Sequence, residues 1–182
     1  MPEKTPRYSA DSISLVPPSK EHAEQVMAIK AEMLSNKDSL DGWAGLEKVD
    51  TYDEWLDFET RYKAEGFVPS QVYLAIRDED QKVVGVIDYR YPLNEALLIH
   101  GGNIGYSVRP SERKKGYASQ ILAQVLPICR ASGEKEVLLT CKDGNIASQK
   151  VIIKNGGIEE KELISIDESQ KVPGTKRFWI KL

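Results

Sequence analysis

A chain of 182 residues with 41% hydrophobic and 29% charged residues can bury one core without disulfides or metals, as a soluble globular domain does. Its formal net charge of −3 counts against a general nucleic-acid binder, which would carry a basic excess. Two cysteines in apolar runs, Cys129 and Cys141, a polar start over Met1–Asp11 and no apolar stretch of spanning length lead us to expect a cytoplasmic protein without a signal peptide, a disulfide framework or a membrane partner.

Residues 1–11 read as a flexible start. Ile13 and Leu15 alternate with polar neighbours up to Pro17-Pro18, which predicts a short strand over Ser12–Val16. Ser19 suits a helix N-cap, with His22 where a capping box would hold Glu or Gln. Ala23, Val26, Met27, Ile29, Ala31 and Leu34 then mark the apolar face of a helix from Lys20 to Ser35. Asn36–Asp50 is a loop with Trp43 and Leu46 turned inward. A second helix, Tyr52–Glu65, buries Trp55, Leu56, Phe58 and Tyr62 and stops at Gly66. Gln71–Arg77 and Lys82–Tyr91 form a hairpin around Asp78-Glu79-Asp80. Pro92–Gly102 is a loop, and Asn103–Val108 is a strand closed by Pro110. Gly116–Ser132 carries Ala118, Ile121, Leu122, Val125, Ile128 and Cys129 at helical spacing, and Glu136–Cys141 is a buried strand. Asn145–Asn155 is a short helix stopped by Gly156-Gly157, and Gly157–Ile166 and Lys176–Leu182 are closing strands. The order describes an α+β, or mixed α/β, single domain with one central sheet. Ile104–Cys141 should be a right-handed crossover between parallel strands.

The chemistry gathers where the strand ending at Val108 meets the next helix. A helix N-terminus offers free N–H groups and partial positive charge, which suit a diphosphate. Gly116 lets the backbone approach phosphate oxygens, Ala118 keeps the first turn open, and Arg113, Lys114 and Lys115 add three cations. A solvated basic turn before an amphipathic helix would use the same residues. Neither a Gly-x-Gly-x-x-Gly fingerprint nor a P-loop is present.

Arg113-x-x-Gly116-x-Ala118, preceded by Val108-x-Pro110, resembles the Gln/Arg-x-x-Gly-x-Gly/Ala acetyl-CoA signature of the GNAT superfamily of N-acetyltransferases. Asn145-x-x-Ser148, followed by Ile152, Ile153 and Asn155-Gly156, resembles its second motif. The likeness runs from about Val72 to Glu160 and extends to a bacterial branch of uncharacterised members. It implies one domain over 1–182, with acceptor-side helices in 19–66 and an acetyl-CoA-binding core in 71–160. It also implies a mixed, mostly antiparallel sheet of about six or seven strands, splayed between 103–108 and 136–141 and flanked by about four helices.

By the same resemblance, acetyl-CoA is the cosubstrate and no metal is required. The amides of Arg113, Lys114, Lys115, Gly116, Tyr117, Ala118 and Ser119 would cradle the pyrophosphate. Pantetheine would enter between Tyr106-Ser107-Val108 and Leu138-Leu139-Thr140, with the Val108 N–H donating to the thioester oxygen. Asn145 and Ser148 would lie near the pantetheine or the sulfur, with helix capping as the other role for Asn145.

An acceptor ammonium with a pKa near ~10.4 must lose a proton, at roughly 4 to 5 kcal/mol at pH 7, and the thiolate must gain one. Relatives often donate it from a tyrosine at the position held here by Ile152. Asp88, on a strand where relatives carry a carboxylate, and His100, a loop histidine with a suitable pKa, are the candidate catalytic residues; an outward strand residue and a structural loop histidine are the plainer readings. Tyr106 and Tyr89 could donate a proton, and Cys141 reads as a structural thiol before it reads as a nucleophile. Asp38, Asp41, Glu47, Asp50, Asp53, Glu54, Asp57 and Glu59 bias the acceptor side toward a cationic amine unless they form only a solvated face. The expected activity is transfer of acetyl to a small-molecule or peptide amine by direct attack, with a homodimer as an option. A non-catalytic acyl-CoA-binding module is the alternative, encouraged by Ile152.

Overall fold

In the computed structural model, which describes residues 11–57, 68–163 and 165–182, the chain folds into two antiparallel sheets that meet at one point. The first has the order β1 (Ile13–Val16), β2 (Ser70–Arg77), β3 (Val83–Arg90), β4 (Ile104–Val108). The second has the order β5 (Glu136–Lys142), β7 (Thr175–Lys181), β6 (Ile158–Glu159). Helices α1 (Ala23–Ser35), α2 (residues 52–57), α3 (Glu95–Ile99), α4 (Tyr117–Ala131) and α5 (Ile146–Lys154) connect and cover them.

The expected parallel pairing of β4 with β5 does not form a ladder. Instead Asn103, fully buried, joins the two sheets. Its N–H donates to the Leu138 carbonyl at 2.8 Å, its Oδ1 accepts from the Leu138 N–H at 2.8 Å, and its Nδ2 donates to the Arg90 carbonyl at 3.0 Å. A neighbouring bridge between Gly102 and Leu139 is antiparallel in type. Beyond it β4 and β5 diverge, which is the splay expected between 103–108 and 136–141.

Two cores lie on opposite faces of the first sheet. Ile87, Tyr89, Ile104 and Val108 pack with α4 (Tyr117, Ile121, Leu122, Val125) and with Leu139 and Phe178 of the second sheet. On the other face Val72, Leu74 and Val86 pack with Val26, Ile29 and Met33 of α1 and with the loop anchors Trp43 and Leu46. The indole N–H of Trp55 donates to the Trp43 carbonyl at 2.8 Å and ties that loop to α2. Phe58, Tyr62 and Gly66, expected to complete and stop this helix, lie outside the described residues.

Local expectations hold in altered form. The helix predicted from Lys20 begins as a 3-10 turn, Lys20–His22, before α1. His22 fills the capping-box position, its Nδ1 accepting from the Ser19 N–H at 3.0 Å. The predicted loop 92–102 contains α3, nucleated by Asn94, whose Oδ1 accepts from the Leu97 N–H at 2.8 Å. This helix buries no residue fully, so it leaves no apolar period to read. The predicted strand over 157–166 shrinks to β6, because the Glu160 carboxylate turns the chain by accepting from the Ser165 N–H at 3.1 Å and from Arg177 Nε at 2.6 Å.

Candidate active site

The turn after β4 is held from two sides. Glu32 of α1 accepts from Arg109 Nε at 2.7 Å and from the Ser111 N–H at 2.6 Å. Glu112, 3% exposed, anchors the other side through Arg77 at 3.0 Å, Lys115 at 2.7 Å and Lys82. Burial alone would raise the Glu112 pKa, but the hydrogen bonds from Lys115 and Lys82 outweigh it and lower the carboxyl to about 2. Lys115 is therefore tied into this turn although it is exposed, and Lys114 beside it is exposed too. Lys114 at φ +63° and Gly116 at φ +90° curl the backbone into the first turn of α4. Among the described residues, the amides of residues 114–119 meet no acceptor. They stand at the positive end of a 15-residue helix. The side chain of Tyr117 is buried, its hydroxyl held by Arg77 at 3.1 Å, so only its amide faces the turn. Ser119 faces Asn155, whose Nδ2 lies 3.4 Å from its Oγ.

The phase of the β3–β4 ladder sets which backbone groups face the gap. Arg109 donates to the Val84 carbonyl at 2.8 Å and Arg90 donates to the Asn103 carbonyl at 2.7 Å. In an antiparallel pair bonded positions alternate, so Ser107 pairs with Val86 and Gly105 with Asp88 in the bonded positions. The N–H and C=O groups of Tyr106 and Val108 consequently point away from β3, toward the edge that β5 leaves unpaired. Arg113 crosses this edge: its Nε donates to the Val108 carbonyl at 3.2 Å and its Nη1 lies 3.0 Å from Asp38.

Across the gap, Asn145 caps α5, its Oδ1 accepting from the Ser148 N–H at 3.1 Å. Ser148 lies with its Oγ 3.0 Å from the Tyr106 hydroxyl. Burial pushes the Tyr106 phenol up to about 12, the Ser148 hydrogen bond opposing it only in part. Cys141, half-buried beside Ser148, also has a raised pKa through burial, which leaves it a thiol. Ile152, 1% exposed, packs into the main core. Tyr89 is likewise core, stacked on Tyr91 with ring centroids 4.9 Å apart.

The α1-side face of the first sheet, through β2 and β3, borders a cavity of about 450 Å³ between β3, α3 and the loop that follows α1. Ser70, Asp88 and Arg90 form its floor, and Gly42 and Glu47 belong to its walls. Asp88 is 6% exposed, accepts a hydrogen bond from Ser70 Oγ and lies 3.7 Å from Arg90 Nε. A β-carbon at Gly42 would stand 2.8 Å from the Tyr106 Cα, so the cavity wall rests directly on the strand with the open edge. Ser107 Oγ, on this same face, is buried without a hydrogen-bond partner among the described residues. His100 ends α3, is exposed and does not line the cavity.

The acidic bias expected on the acceptor side thins in three dimensions. Asp38 pairs with Arg113, and Glu54 accepts from the N–H groups of Asp50 and Thr51 at 3.0 and 2.9 Å. Of that acidic set only Asp41 and Glu47 line the cavity, and Glu59 lies outside the described residues. Among the described residues no cluster of three or more His, Cys, Asp or Glu could hold a metal ion, and no helix is long and apolar enough to cross a membrane.

The family model of the acetyltransferase (GNAT) domain matches residues 12–158. The chain belongs to this family. Solved structures of similar fold include RimL, a ribosomal L7/L12 alpha-N-protein acetyltransferase in complex with coenzyme A. That likeness is 14% in identity over 94% of each chain, with a TM-score of 0.67. The microcin C7 self-immunity acetyltransferase MccE, in complex with acetyl-CoA and AMP, is 17% identical over 94% of this chain and 93% of its own, with a TM-score of 0.65. The spermidine/spermine N-acetyltransferase SpeG from Vibrio cholerae is 12% identical over 93% of each chain, with a TM-score of 0.63. No curated protein sequence matches the chain.

Proposed function

We propose that this protein transfers the acetyl group of acetyl-CoA to a primary amine, on a small molecule or a peptide, by direct attack in a ternary complex. One observation carries the reading: the edge of β4 that no strand pairs, at Tyr106 and Val108, runs on into the uncapped turn 114–119, and the other edge of β4 pairs with β3, which sets Asp88 opposite Gly105. Acetyl-CoA supplies the acetyl group as a thioester and departs as a thiol.

In this reading the amides of residues 114–119 bind the pyrophosphate, and Arg113 and Lys114 add positive potential beside it. The Val108 N–H pairs with the pantetheine arm and donates to the thioester oxygen as it gains charge. Asp88 takes a proton from the acceptor ammonium, so that its nitrogen can form the new bond to the acetyl carbon. As the carbon–sulfur bond breaks, Tyr106 gives a proton to sulfur through Ser148, and the amine's remaining surplus proton passes to solvent. Tyr106 thus serves from β4 where Ile152 has no proton to give. His100 takes no part.

A thiol-release assay with acetyl-CoA against a panel of amines, run beside calorimetry with CoA, tests the proposal. Release that requires both substrates supports it. Tight CoA binding with no turnover on any amine would favour a non-catalytic acyl-CoA-binding module, the reading that the buried Ile152 keeps open.

A further inference from the structure

We infer that the cavity selects a small amine that also carries a carboxylate, and that Arg90 is the residue that binds this carboxylate. The inference rests on the acetyl-transfer reading and names the acceptor class for the same site.

Arg90 follows Asp88 by two residues on β3, so both side chains leave the same face of the sheet. Its guanidinium is fixed in place. Nη2 donates to the Gly101 carbonyl at 3.2 Å. A β-carbon at Gly101 would stand 3.4 Å from Nη1, and one at Gly105 would stand 3.4 Å from Nη2. The two glycines therefore border the planar group on both sides at contact distance. Asp88 is at 3.7 Å, too far for a hydrogen bond, and Arg90 Nε is buried with no acceptor among the described residues. The Arg90 side chain is nevertheless 24% exposed and lines the cavity, so an anionic ligand there would meet the guanidinium from its open side and add a charge-assisted bond that Asp88 does not make.

The order along the sheet gives the ligand its polarity. Asp88 lies opposite Gly105, the neighbour of Tyr106, and Arg90 lies opposite Asn103, farther from the open edge. An amine on Asp88 faces the thioester, while a carboxylate on the same small molecule reaches Arg90 beyond it. The exposed Lys48 and Asn94 also line the cavity. A volume of about 450 Å³ suits an amino acid or a dipeptide. A polyamine would bring a second cation against the fixed guanidinium, which low-dielectric surroundings make unfavourable.

The test compares matched acceptors: the common amino acids, their amides and the corresponding amines without the carboxylate. For at least one series, the amino acid should show a KM about 10- to 100-fold below those of its amide and amine. Arg90→Gln should raise the amino-acid KM and narrow that gap to roughly threefold, and Arg90→Lys should restore part of it. Equal turnover of acids, amides and amines, or an equal loss on all three in Arg90→Gln, overturns the inference while leaving acetyl transfer standing. If no acceptor turns over, calorimetry with the amino acids in the presence of CoA separates the two readings. Arg90-dependent binding without turnover upholds the carboxylate site and overturns acetyl transfer. Absence of both binding and turnover overturns the two together.

Discussion

Tyr106 on β4 and Ser148 on α5 hold their oxygens 3.0 Å apart across the gap between the two sheets. A phenol raised to about 12 keeps its proton throughout the neutral range; a thiol titrates at ~8.5, so the transfer to sulfur is uphill and has to run together with the breaking of the carbon–sulfur bond. Tyr106→Phe should lower kcat by about 100-fold, the low end of general acid catalysis, with little change in the dissociation constant for CoA. Ser148→Ala should resemble it. Steady-state kinetics beside calorimetry checks both. A Tyr106→Phe protein with undiminished kcat removes the phenol from the reaction.

Asp88→Asn keeps the shape of the cavity floor and removes the proton acceptor. The expected result is a fall in kcat/KM of about 100-fold or more, steepest for acceptors that remain protonated at the assay pH. Raising the pH should recover activity for amines of low pKa before those of high pKa. A pH series with two amines of different basicity measures this.

Gly116→Asp places a side chain at φ +90° and a carboxylate where the pyrophosphate would sit. The backbone cost is about 1 to 2 kcal/mol; the charge repulsion adds to it and acts on the ligand. Calorimetry should show CoA binding lost while the circular dichroism spectrum of the fold is retained. Unchanged affinity would place the coenzyme elsewhere.

Glu112 links stability to pH. Its native pKa of about 2 lies below the ordinary 4.5, so the unfolded chain takes up the proton first as acid is added. Its contribution is complete above about pH 4.5 and is lost as the pH falls toward 2. Glu112→Gln should cost on the order of 3 kcal/mol at neutral pH, because three cations then converge on an uncharged side chain, and it should flatten the acid limb of the stability curve. Urea unfolding at a series of pH values reads both effects.

Asn145→Ala tests capping apart from chemistry. Loss of the bond from the Ser148 N–H should cost about 1 kcal/mol of stability, and freeing Ser148 should lower kcat more than it weakens CoA binding. Thermal unfolding and kinetics on the same preparation separate the two.

The signature turn was legible because its information is local: one glycine, a helix start and three cations within six residues. What those cations do was not legible. Lys115 belongs to Glu112, itself tied to Arg77 and Lys82, which lie 35 and 30 residues away in sequence. Arg90 escaped notice for a similar reason, since its meaning depends on Gly101 and Gly105 beside it rather than on its neighbours in β3. Asn103 read as the first residue of a strand. Only its side-chain bonds to two different strands reveal where one sheet ends and the other begins.

The two faces of β4 carry a consequence for proton traffic. Tyr106 leaves the strand toward α4 and α5, while Asp88 sits on the face covered by α1 and its loop. In the proposed reaction one proton departs on one side of a single strand and another arrives from the opposite side. The backbone of β4 then acts as an insulating partition, so acid and base need not exchange protons with each other between turnovers. The cavity that Asp88 lines gives that side its own route to solvent.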